Sequence, residues 1–278
     1  MDLKSRTLQV HELGGLYYLT FPSFEKTDLV RHLYSTRRGG VSRGYLASMN
    51  LGPHRGDRFE NVMENYRRIC AACGTCLDNL VFSQQVHGSR ILYVDQQDRG
   101  KSLVRPVEMV GVDGLITDKP EVTLVTFHAD CVPLFFLDPV RKVIGLAHAG
   151  WRGTVAGIGG KMVRRLQEDF SCDPADLLVG IGPSVGPCCF EVGPEVAAEF
   201  AKAFPERTHR EIILPGKTEE KSNVDLWMAN AVDVVLAGVA AEHVTMPDLC
   251  TCCHPDYFFS HRRTGNERGS QIAMMELK

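Results

Sequence analysis

The chain has little that would take it into a membrane or onto a nucleic acid. Its 278 residues contain no apolar run approaching the roughly twenty that span a bilayer as a helix. The opening MDLKSRTLQVHELGG lacks the basic n-region, apolar centre and small-residue cleavage site of a secretory leader, so a cytoplasmic location is expected. Positive charge is not in excess: 31 Lys and Arg stand against 34 Asp and Glu, which gives an anionic lipid surface or a nucleic acid no bulk attraction. Solenoid repeats and low-complexity linkers are missing as well. With 44% apolar residues to build a core, one mixed α and β domain over residues 1–278 is the economical reading.

Cysteine, by contrast, is plentiful. Eight of the ten residues bunch as Cys70, Cys73 and Cys76, as Cys188 and Cys189, and as Cys250, Cys252 and Cys253, in a chain too long to be a small disulfide scaffold. They read as reduced thiols. The first trio lacks a fourth cysteine near position 80, where Leu80 stands, so an iron–sulfur run is not indicated and buried thiols are expected there.

Periodicity predicts a helix from Phe59 to Ala72 through Val62, Tyr66 and Ile69, another from Gly157 to Phe170, and a third from Asp225, a suitable N-cap, to Ala240. A strand opens the segment HLYSTRRGGVSRGYLASMNLG before glycine and polar residues take over, and Arg37 and Asn50 in that loop are candidates for ligand contact or simply solvated. Two short strands, NLVFSQQVHG and ILYVD, precede a polar loop over 100–111 and a turn at Asp113-Gly114. The runs LITD, VTLVTF, VPLFFL and KVIGLAHA then read as the core sheet. The charged stretch over 205–223 reads as an exposed excursion.

The most informative stretch is ADCVPLFFLDPVRKVIGLAHAGWRGT. If Asp138-Pro139-Val140-Arg141 forms a four-residue hairpin loop, Leu137 pairs with Lys142 and Cys131 lies directly opposite His148. Opposed residues have Cβ atoms about 4.5–5.5 Å apart, near enough for a thiolate and an imidazole to share a proton or a metal ion. Pro133, which cannot donate to a ladder, marks an edge strand or a strand start. A third ligand is available in His87, which like His148 ends an apolar run and is closely followed by glycine. Two imidazoles and one thiolate form the open, three-ligand set of catalytic zinc, while buried structural His and Cys remain the alternative. Asp130 could orient a ligand or cap a turn.

The blocks STRRGGVSRGYLASMNLG, SQQVHG, ADCVPLFFLDP, IGLAHAGWRGT, GIGPSVGPCCFEVG and CTCCHPDYFFSHRRTGNERG resemble, in order and over nearly the whole chain, those of the YfiH-like, laccase-domain family, also described as purine nucleoside phosphorylases. The resemblance implies an α+β fold with mixed sheets in four α/β/β/α layers, and a zinc-type centre of His87, Cys131 and His148, which copper could also occupy in vitro. It further implies phosphorolysis of adenosine, inosine and methylthioadenosine, with deamination of adenosine. Partners would be purine nucleosides and phosphate, with no nucleic acid and no membrane, in a monomer or homodimer. Anion-binding candidates are Arg37, Arg152, Arg262, Arg263 and Arg268, since guanidinium forks match phosphate oxygens. Of these, Arg37, Arg152 and Arg263, with Asn50, are taken as the substrate-binding set. The chain departs from the pattern at His128, where threonine is common, and at Ser260-His261-Arg262-Arg263, where SYRR is usual; both imidazoles read as filling space.

Three rival functions share these residues. A copper polyphenol oxidase would need many paired ligands, yet none of the ten histidines stands two residues from another. A Cys–His hydrolase editing cell-wall precursors would use Cys131 as nucleophile and His148 as base. A structural zinc protein would close the tetrahedron with a fourth side chain such as Cys188 or His254.

Overall fold

The computed structural model describes residues 3–100 and 109–278. Most of the polar loop expected over 100–111 therefore lies outside the described residues. Among those described, no helix is long and apolar enough to cross a membrane.

Two six-stranded mixed sheets lie face to face. The first has the order Gln9–Leu13, Leu16–Thr20, Val30–Ser35, Gln271–Leu277, Thr123–His128, Leu80–Phe82. The second runs Val244–Thr245, Leu178–Ile181, Val132–Asp138, Val143–Ala149, Gly114–Thr117, Ile91–Tyr93. The single core sheet expected from sequence is thus corrected to two, because Thr123–His128 pairs with Gln271–Leu277 while the next strand joins the other sheet. The crossing is made at Ala129–Cys131, where Asp130 takes the left-handed region at φ 87°.

Alternation along each strand separates three apolar layers. Phe135, Leu137, Ile144 and Leu146 of the second sheet meet Tyr34, Leu124, Ala273 and Met275 of the first. On the outer face of the first sheet, Leu33, Val125 and Met274 receive Val62, Tyr66 and Ile69 of the helix Phe59–Cys73. Val132, Leu134, Phe136 and Ala147 point the other way, onto Ile158, Met162 and Leu166 of the helix Ile158–Phe170 and Val234 of the helix Leu226–Leu236. The order helix, sheet, sheet, helix follows from which side of each strand is covered. Because both faces are buried, VPLFFL has to be apolar throughout.

The predicted helices form, with ends set by caps. Asp225 accepts from the Met228 N–H as N-cap, and the helix stops at Leu236, short of Ala240, because Gly238 at φ 109° turns the chain away. The segment 205–223 is more ordered than a charged excursion: Ile213–Pro215 pairs with Ser222–Val224, which pairs in turn with Glu191–Val192. Burial of Ile212 and Val224 explains the difference.

Phe135 is wholly buried between the sheets, edge-on to Phe21 with ring centroids 5.0 Å apart. Phe135→Ala should lower stability by about 3–5 kcal/mol, read as a fall in denaturation midpoint with an unchanged slope.

Candidate active site and metal centre

The hairpin forms, but in a register different from the one expected. Asp138 pairs with Val143 and His148 with Pro133, so Cys131 is not directly opposite His148. The loop begins one residue later because the Asp138 carboxylate accepts from the N–H groups of Val140 and Arg141, both at 2.8 Å, and Lys142 closes the turn at φ 55°. Cys131 precedes the strand and meets His148 diagonally. Pro133 exchanges no hydrogen bonds with His148, whose N–H goes to the Asp113 carbonyl at 2.7 Å; its own carbonyl faces the other side and accepts from the Gly182 N–H at 2.9 Å. The donor it lacks would have met Gly182, just beyond the end of Leu178–Ile181, and the Gly182 carbonyl accepts from the Ser184 hydroxyl at 3.4 Å instead.

His87, Cys131 and His148 converge, with one ligand atom of each lying within 4.8 Å of the other two. Asp113, read from sequence only as part of a turn, organises them. One of its carboxylate oxygens accepts from the His87 N–H at 3.0 Å and from Nδ1 of His148 at 2.9 Å. The other accepts from the N–H groups of Gly88 at 2.8 Å and Val86 at 3.2 Å. A carboxylate can only accept, so Nδ1 of His148 carries the proton and Nε2 is left for Cys131 or an ion. Burial opposes charge on Asp113, yet the hydrogen bond and charge of His148 and the backbone donors hold its carboxyl below the usual range. Burial likewise favours neutral Cys131 and His148, but the imidazoles of His148 and His87 lower the thiol to about 6, while the Cys131 thiolate and Asp113 raise the His148 imidazole.

Glycine makes this approach feasible. A Cβ at Gly150 would stand 2.8 Å from Cδ2 of His87 and 3.3 Å from the Cys131 sulfur, and one at Gly153 would stand 2.8 Å from the Gly88 carbonyl oxygen. His87 itself sits at φ 62°. His128 is no ligand: its Nδ1 donates to the Cys131 carbonyl at 3.0 Å and its Nε2 accepts from the Thr126 hydroxyl at 2.7 Å. Burial drives its pKa far below the ordinary value, so this imidazole stays neutral and props the Cys131 turn. Asp130 ties loops together, accepting from Thr251 at 2.5 Å, Ser260 at 3.0 Å and the Arg262 N–H at 2.5 Å.

His87, Cys131 and His148 line a cavity of about 1130 Å³. Its aromatic surfaces include Phe127, Trp151 and Phe190, and its guanidinium groups are those of Arg55, Arg152, Arg262 and Arg268. Arg152 stacks on Trp151 with its guanidinium carbon 4.3 Å from the ring centroid. Arg262 donates to the Glu191 carbonyl at 3.1 Å. Arg55 carried no signal in the sequence. Burial and then the nearby Arg55 charge lower Arg268 to about 10, while burial lowers Arg55. Arg37, Asn50 and Arg263 are not among the lining residues. Arg37 donates to the carbonyls of Ala47 at 2.8 Å and Pro255 at 3.0 Å, and Arg263 to that of Cys252 at 3.0 Å. Asn50 accepts from the N–H groups of Gly52 and Ser270, two residues that do line the cavity. All three hold the wall from behind. His261 does not fill space; it is exposed at the cavity, with Nδ1 donating to the Gly265 carbonyl at 2.9 Å.

Residues 31–278 match the family described as multi-copper polyphenol oxidoreductase laccase. The chain belongs to this laccase-domain family. Its relatives there include a protein named purine nucleoside phosphorylase YlmD from Geobacillus stearothermophilus, 39% identical over 87% of this chain and 88% of that one. A protein named adenosine deaminase RL5, from an unknown prokaryotic organism, is 31% identical over 88% of this chain and 95% of that one. The crystal structure of YlmD from Geobacillus stearothermophilus superposes with a TM-score of 0.91, at 35% identity over 98% of this chain and 99% of that one. That of the Bacillus licheniformis protein YfiH also gives 0.91, at 31% identity over 98% of this chain and 100% of that one. The α+β fold with two mixed sheets is thus the family's.

Two imidazoles and a thiolate suit a borderline-soft ion that accepts three protein ligands. Neither Cys188 nor His254 completes that set: Cys188 belongs to a separate sulfur group, and Nδ1 of His254 donates to the Cys250 carbonyl at 2.9 Å. Asp113→Asn should weaken zinc binding about 10–100-fold, measured by competition with a chromophoric chelator, because an amide NH₂ would face donors on at least one side. Gly150→Ala should weaken it as well by displacing His87, with circular dichroism unchanged in both variants.

Proposed function

We propose that this protein is a purine nucleoside phosphorylase that accepts adenosine, inosine and methylthioadenosine, with a secondary adenosine deaminase activity, and that His87, Cys131 and His148 hold a catalytic Zn²⁺. One observation carries the reading: a His–Cys–His group able to hold a metal ion stands in the same cavity as aromatic surfaces and two partly buried, mutually repelling guanidiniums. The relatives named for both activities support it.

In phosphorolysis a phosphate oxygen bonds to C1′ of the ribose while the C1′–N bond breaks, its electron pair leaving with the purine and a proton joining the base. Phe127, Trp151 and Phe190 offer faces for purine stacking. Arg55 and Arg268 gain most from an anion, since phosphate relieves their repulsion and replaces lost solvation. When bound, zinc supplies a Lewis acid beside the purine, the chemistry that hydrolytic deamination requires.

A second reading has an observation of its own. Cys131, His148 and Asp113 are joined in the order of a nucleophile, its base and the group that orients the base, which would serve a metal-free thiol hydrolase.

Purified protein given inosine and phosphate should release hypoxanthine and ribose 1-phosphate, and omission of phosphate should stop the reaction. Removing the metal with a chelator should abolish turnover and zinc should restore it; phosphate-independent hydrolysis of an amide that survives chelation would overturn the assignment. Cys131→Ala should lose at least a thousandfold in rate, whereas Cys73→Ala should keep it. Arg268→Gln should raise the KM for phosphate tenfold or more with a smaller effect on that for inosine.

A further inference from the structure

Away from the three-ligand group, four sulfurs meet. Cys188 and Cys189 come from the turn after Leu178–Ile181, Cys250 and Cys253 from the loop after Val244–Thr245, and all four sulfur atoms lie within 4.8 Å of one another. We propose that these four cysteines bind a second metal ion, a thiophilic divalent cation of the zinc class, in a closed four-sulfur site that fastens one wall of the cavity to the loop that grips Asp130.

Spacing supports a metal rather than a disulfide. The Cys189 sulfur is 3.4 Å and the Cys188 sulfur 3.6 Å from that of Cys253. Zinc–sulfur bonds of 2.3 Å at tetrahedral angles put sulfurs about 3.8 Å apart, whereas a disulfide needs about 2.05 Å. Cys250 and Cys253 have the two-residue separation of a zinc ribbon. The Gly186 N–H donates to the Cys250 sulfur at 3.2 Å, a bond that stabilises a thiolate. Cys188 and Cys253 are exposed, which gives an ion its way in, and binding would release the thiol protons to solvent.

The position gives such an ion a purpose. Ser184 bridges to Cys250, and the Thr251 N–H donates to the Ser184 carbonyl at 2.9 Å, so the two loops already run together. Val185 and Phe190 on one loop line the cavity. On the other, Thr251 grips Asp130, next to Cys131. With four protein ligands the ion would have no position for substrate, so its role is to hold the two loops together rather than to react.

Full-length protein purified after expression with zinc should carry two equivalents of metal. Cys253→Ser should carry one, Cys131→Ser one, and the double variant none. Should Cys253→Ser fail to fold, cobalt-substituted wild type gives the answer through a sulfur-to-metal absorption several times that of a single thiolate. Metal content unchanged between wild type and Cys253→Ser, a single-thiolate cobalt spectrum, or a disulfide among the four cysteines in unreduced protein would each overturn the proposal, whereas one equivalent in the wild type that Cys253→Ser loses and Cys131→Ser keeps would uphold it and count against the His87, Cys131 and His148 site alone.

Discussion

The carboxylate of Asp113 accepts hydrogen bonds from three successive backbone N–H groups, those of Val86, His87 and Gly88, and from Nδ1 of His148, and the site's geometry depends on those four bonds. The strand Gly114–Thr117 is fixed by pairing with Val143–Ala149, which brings Asp113 beside His148. Once there, a fully buried carboxylate has to be satisfied, and the nearest free donors belong to the loop that carries His87. Satisfying it swings His87 over Cys131 and His148. The same bonds point Nε2 of His148 towards Cys131, so one residue sets both the loop's path and the ring's orientation.

Close approach has its own requirement. His87, Cys131 and His148 come from the loop at 86–88, the crossover between the sheets and the end of the hairpin, and these meet only because Gly150 and Gly153 leave room for His87 and for the Gly88 carbonyl. The crossover is held equally firmly. His128 supports the Cys131 carbonyl from below, and Asp130 ties the turn to Thr251, Ser260 and Arg262. His128 thus buttresses the Cys131 turn without joining the His87, Cys131 and His148 group.

Much of this was legible in the residues, for different reasons at different places. The three long helices showed because each has one buried face, which prints a period on the sequence. Partition of strands between sheets did not show, since LITD, VTLVTF and VPLFFL are buried on both faces and carry no alternation that names a neighbour. The C-terminal strand Gln271–Leu277, central in its sheet, was missed despite its apolar QIAMMEL, and the N-terminal hairpin was missed because its first strand is mostly exposed. Cys131 and His148 were brought together by a register that proved wrong, yet diagonal neighbours are still neighbours. Asp113 escaped notice because an Asp-Gly pair signals a turn, and nothing local says that the carboxylate faces inward. Choosing among arginines needs the third dimension: Arg37 and Arg263 direct their donors to backbone carbonyls, while Arg55 sits in no distinctive motif.

What an arginine lacks is as informative as what it holds. Nε of Arg268 is buried with no hydrogen-bond partner among the described residues, and its guanidinium shares a desolvated wall with that of Arg55. Two like charges in that setting repel each other through a medium that screens poorly, and each has given up water. The nearby negative charges of Asp130 and Cys131 offset this only in part, since burial and the Arg55 charge outweigh them. A neutral amide or a phenol entering the cavity would leave the repulsion in place, whereas a phosphate dianion would remove it and supply acceptor oxygens for the orphaned donor. The cavity's electrostatics therefore favour a reaction in which an anion is itself a substrate, and that preference comes from the wall residues independently of any ion held by His87, Cys131 and His148.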